Sequence, residues 1–70
     1  MTFEQILARA NEVNPNAKFH FWVEYSDGKR GYAKSVETYG LAVAVNARYE
    51  NAGMSPICYD RDGIDVGFSV

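Results

Sequence analysis

The sequence predicts a small α+β domain with the element order α-β-β-α-β-β. Its fold is a four-stranded, mostly antiparallel sheet with two helices packed on one face. Three observations carry this prediction. Lys18 to Val36 alternates apolar and polar residues on either side of Asp27-Gly28, the pattern of a β-hairpin. Two segments, starting at Phe3 and near Glu37, space their apolar residues as helices do. The chain has 70 residues, which makes one domain over 1–70, close to the lower limit for a core with no disulfide or metal to staple it.

The first helix starts at about Phe3, because Thr2 and Gln5 have the spacing of a capping box. Phe3, Ile6, Leu7, Ala10 and Val13 form its apolar stripe. Asn14-Pro15-Asn16 stops it, since the residue before proline is pushed out of helical geometry. In the first strand Phe19, Phe21, Val23 and Tyr25 are assigned to the core, and His20, Trp22 and Glu24 to the open face of the sheet. Ser26-Asp27-Gly28 is the turn, where Asp-Gly supplies the positive φ a tight hairpin needs, and Gly31 to Val36 is the returning strand.

The second helix runs from about Glu37 to Ala52, with Ser35 or Thr38 as cap and Gly53 as the residue that ends it. Leu41, Val45, Tyr49 and Ala52, with Ala42 beside them, are its core stripe. Gly40 stands out, because a glycine inside a helix costs about 1 kcal/mol relative to alanine. Either the helix begins later, on Thr38, or Gly40 lets another backbone come close. Ser55 to Tyr59 is a third strand, with Pro56 at its start as on an edge strand. Asp60-Arg61-Asp62-Gly63 is a turn, and Ile64 to Val70 alternates as a fourth strand.

Composition narrows the function classes. The net charge is −2 with both signs interspersed, which argues against a protein held on nucleic acid by bulk charge. The N-terminus MTFEQILARANE carries acids among its apolar residues and does not read as a signal peptide, and no apolar run is long enough to span a bilayer. One cysteine, Cys58, excludes an internal disulfide and suits a reducing compartment, so a cytoplasmic protein is expected. No cofactor, metal or catalytic motif stands out. His20, the one histidine, has no partner at a recognisable spacing and reads as a half-exposed strand residue. Cys58 reads as a small buried side chain and not as a nucleophile. Asp60 to Asp65 resembles half of a calcium loop but lacks the late glutamate and flanking helices, and a hairpin turn explains the same residues.

The function expected is therefore non-catalytic binding, by contact with a larger protein or protein complex or with a second copy of the chain. Two surfaces are candidates. The outer side of helix two lines up Tyr39, Val43, Ala47 and Glu50, with the small Gly40 and Ala44 close by, and this low charge suits a partner helix or a symmetric dimer in contact at Tyr39, Gly40, Val43 and Ala47. The open sheet face carries Trp22 and His20, and a tryptophan there is a candidate anchor. Small single-domain proteins of this kind, without catalytic groups, resemble in size and architecture the accessory or inhibitory proteins that phages and mobile elements direct at host or defence complexes. The alternative is a nucleic-acid-binding module that uses Lys29, Arg30, Tyr32 and Lys34 on the hairpin. A hairpin followed by a helix is similar in plan to the arm-type domains of tyrosine recombinases.

Overall fold

The computed structural model describes residues 1–68. Its elements are α1 (Phe3–Val13), β1 (Phe19–Glu24), β2 (Arg30–Val36), α2 (Tyr39–Asn51) and β3 (Ser55–Asp60). The strands form a three-stranded antiparallel sheet in the order β2-β1-β3. The hairpin closes as expected. Gly28 takes φ 82°, its amide donates to the Tyr25 carbonyl, and the Lys29 amide donates to Asp27 Oδ1. At α1 the capping box is complete: Thr2 Oγ1 accepts from the Gln5 amide and Gln5 Oε1 accepts from the Thr2 amide.

The fourth strand does not form among the described residues. Ile64 to Phe68 makes a single bridge, Tyr59 with Asp65, and the Val66 amide donates to the Cys58 carbonyl. The chain then bends away, because Asp65 Oδ1 accepts from the Gly67 amide and Gly67 sits at φ 78°. The alternation of Ile64, Val66 and Phe68 is thus not a strand face: Ile64 is 63% exposed, while Val66 and Phe68 pack beside the core. Ser69 and Val70 of the expected strand lie outside the described residues.

The helices lie on opposite faces of the sheet, not on one. Phe21, fully buried, packs with Ala42 and Val45 of α2 and with Val36 and Cys58. On the other face Trp22 packs against Phe3 of α1, and His20 bonds Asn11 of α1. β1 is consequently buried on both sides, and His20, Phe21, Trp22 and Val23 are all inaccessible. Trp22, expected on an open face, is 3% exposed, and His20, expected half-exposed, is 0% exposed. Large apolar groups on both faces of one strand require a layer on each side.

The core stripe of α2 is rotated from the one expected. Ala42, Val45 and Asn46 are buried and Tyr49 half-buried, whereas Leu41 is 52% exposed and Ala52 is exposed. Two contacts hold this rotation: Tyr39 packs edge-on against Phe19 and Phe68, and the small Ala42 lies flat on the sheet. Thr38 is the cap, accepting from the Leu41 amide, so the helix starts after Glu37. Tyr25, assigned to the core, is 54% exposed at the hairpin end, and Val13, assigned to the α1 stripe, is 62% exposed.

A bulge in β2 shapes the α1 face. Phe21 pairs with Lys34 and Trp22 with Tyr32, which leaves Ala33 as an extra residue. Without it Tyr32 and Ser35, three apart, would point to opposite faces of the sheet. With it both face α1.

Candidate functional site

α2 presents the first surface. Tyr39, Leu41 and Val43 are 59%, 52% and 45% exposed, and Gly40, Ala44 and Ala47 are exposed between and beside them. No side chain from Tyr39 to Ala47 carries a charge. Gly40 has an ordinary negative φ, and a Cβ built on it meets nothing within 4 Å. The fold itself therefore does not require glycine there. Leu41 belongs to this surface and was expected in the core.

Under α1 lies a polar chain that sequence spacing does not reveal. Asn11 Nδ2 donates to the Arg61 carbonyl at 3.0 Å, which leaves Asn11 Oδ1 to accept from His20 Nε2 at 2.6 Å. The imidazole is then an acceptor at Nδ1, where the Ser35 hydroxyl lies at 2.6 Å, and Ser35 Oγ in turn meets the Tyr32 hydroxyl at 2.5 Å. The bulge at Ala33 is what brings these last two together. Burial, and then the nearby Arg61 guanidinium, lower the His20 pKa, so the imidazole is neutral at pH 7. Arg61 also donates from Nη1 to the carbonyls of Ala17 (2.6 Å), Pro15 (3.3 Å) and Asn14 (3.4 Å). The chain ties α1 and the loop after it to β1, to β2 and to the turn that follows β3. His20 and Trp22, expected on an open face, both lie inside the molecule, at 0% and 3% exposure.

The basic hairpin residues are on the surface: Lys29, Arg30 and Lys34 are exposed, and Tyr32 is 37% exposed. The structure adds Arg9 of α1 to them. Three hollows follow one another along the seam between α1 and β2. A hollow of about 400 Å³ is lined by Phe3, Ile6, Trp22 and Arg30 among others. The next, about 150 Å³, is lined by Ile6, Arg9, Val13 and Tyr32 among others. The third, about 260 Å³, includes Val13, Asn14, Ser35 and Glu37. Ile6 joins the first to the second, and Val13 and Asn14 join the second to the third.

Cys58 is 3% exposed. Burial, then Asp65 and Asp60, push its thiol up to about 12, so it stays protonated at neutral pH. The acidic loop folds as a turn: Asp60 Oδ1 accepts from the Asp62 and Ile64 amides, and Gly63 sits at φ 83°. Among the described residues no three His, Cys, Asp or Glu side chains converge on one point, and no helix is long and apolar enough to cross a membrane. No protein-family model, curated protein or solved structure matches the chain.

Proposed function

We propose that this protein is a small non-catalytic binding module that acts by contact with a larger protein or complex, in an accessory or inhibitory role. The contact surface is the outer face of α2. One observation carries the reading: an exposed helix face, apolar and free of charge from Tyr39 to Ala47, whose Gly40 serves no purpose within the domain. Such a face in water gains from being covered, and the missing side chain at Gly40 lets a partner backbone approach. Val43→Lys and Ala47→Glu are expected to leave the unfolding free energy from urea melts within about 0.5 kcal/mol of wild type, as surface substitutions do. They should lower the mass of any self-associated species in light scattering, or the recovery of a stoichiometric complex from the native host, because an interface would have to bury a charge. If neither mass nor recovery changes, α2 is not the contact surface.

A second reading, nucleic-acid binding, is favoured by the alignment of Arg9, Arg30 and Tyr32 along one seam. It requires that Lys29→Glu with Arg30→Glu abolish binding and that salt weaken it steeply. A wild-type protein that shifts neither DNA nor RNA at low salt rules it out.

A further inference from the structure

We propose that the seam between α1 and the outer edge of β2 binds an extended acidic peptide segment, which adds to β2 as a strand. This surface is separate from α2 and goes beyond the reading given above.

The two sheet edges are not alike. β3 is partly covered by the chain itself, through the Tyr59–Asp65 bridge and the bond from the Val66 amide to the Cys58 carbonyl. β2 ends the sheet, and among the described residues no strand pairs with its outer side. An edge strand beside a helix is a built acceptor for an added strand: the backbone supplies affinity, and the groove reads alternate side chains. The seam has matching dimensions. β2 has seven residues, about 23 Å of strand, and the hollows share lining residues from one end to the other.

Its chemistry selects the occupant. Ile6, Val13 and Tyr32 offer apolar contact, and Val13 stays 62% exposed although it continues the apolar stripe of α1. Arg9 and Arg30 make the first two hollows basic, whereas Lys34, paired with Phe21, faces the α2 side. Glu24 stands opposite Arg30 in the register and offsets part of its charge, and Glu37 makes the Ser35 end acidic. The fitting segment therefore alternates apolar residues with carboxylates that face Arg9 and Arg30, and carries no acid where it meets Glu37. Basic side chains and a bulge on an edge strand also repel unwanted strands. An acidic segment converts that repulsion into attraction, which gives selectivity. The bulge at Ala33 divides β2 into two regular stretches, Arg30 to Tyr32 and Lys34 to Val36.

The test is selection of a displayed library of random decapeptides on the intact protein, followed by synthesis of the consensus. Enriched peptides should alternate acidic and apolar residues, and the synthetic peptide should protect amides of β2 from hydrogen exchange. Arg9→Glu with Arg30→Glu, checked for unchanged circular dichroism, should weaken binding at least tenfold, and backbone N-methylation of the peptide should abolish it. Val43→Lys should leave the affinity unchanged, so failure here and failure of the α2 reading are told apart. The proposal is overturned by no enrichment, by enrichment indifferent to the arginine variants, or by protection mapped away from β2. It is equally overturned if oligo-dT, and no peptide, perturbs the β2 amides.

Discussion

Phe21→Ala is expected to unfold the domain or leave it without fixed packing. Phe21 is fully buried at the centre of β1, with Val36, Ala42, Val45 and Cys58 around it and the Tyr49 ring 6.1 Å away. Removing a buried phenyl ring costs about 3–5 kcal/mol, because the cavity closes only in part. Domains hold roughly 0.05–0.15 kcal/mol per residue, which for 70 residues is about 4–10 kcal/mol. The loss therefore matches much or all of the stability. The site cannot collapse cheaply, since two of its walls are strands held in the sheet and the third is α2, already in contact through Ala42. Urea melts followed by near-ultraviolet circular dichroism should show a lost or strongly shifted transition. A midpoint that falls by less than about 1 kcal/mol in free energy would mean that Phe21 is not the centre of the core.

What the sequence discloses is local, and what it hides depends on partners distant in the chain. The Thr2–Gln5 box, the Asp27-Gly28 turn and Gly53 after α2 each act within a few residues, and each is where the residues say. The layering was hidden because β1 is apolar on both sides: Phe19, Phe21 and Val23 point one way, His20 and Trp22 the other. Period 2 then cannot say which side meets water, and here neither does. α2 was hidden for the same reason in helical form. Gly-Leu-Ala-Val-Ala-Val has no polar face to set its rotation, so contacts of Tyr39 with Phe19 and Phe68 decide it, and Leu41 turns outward. The fourth strand had the right alternation, but Asp65 and Gly67 form a local turn that period counting does not register. The bulge at Ala33 leaves no mark in composition, yet it places Tyr32 beside Ser35 and completes the polar chain. The α2 surface was legible in part, through its lack of charge. The α1–β2 seam was not, because it joins residues 9 and 30, which only the fold brings together.

His20→Ala is expected to be nearly as damaging as Phe21→Ala, although a surface histidine in its place would tolerate the change. The ring is 0% exposed and bridges Asn11 on α1 to Ser35 on β2 through bonds of 2.6 Å on each side. Alanine leaves a cavity, and it also strands a part-buried acceptor on Asn11, which adds up to about 1 kcal/mol. Asn11→Ala removes that acceptor, so the double variant should lose less than the sum of the singles, by roughly 0.5–3 kcal/mol. The pH dependence identifies the cause. Burial first, and Arg61 second, hold the folded pKa of His20 below the 6.5 of the free side chain. Well above pH 6.5 both folded and unfolded chains are neutral at this residue, and its contribution is constant. As pH falls below 6.5 the unfolded chain takes up a proton that the folded chain refuses, so stability declines until the folded pKa is reached. The slope is at most about 1.4 kcal/mol per pH unit. The ring nitrogens meet only Asn11 and Ser35, and the one charge that shifts the ring is the Arg61 guanidinium, which disfavours the imidazolium. Urea melts between pH 7.5 and pH 5 should therefore show a decline in wild type that is absent from His20→Ala once the carboxylate background, common to both, is subtracted. Equal slopes in the two proteins, or an alanine variant as stable as wild type, would show that the polar chain does not hold α1 to the sheet.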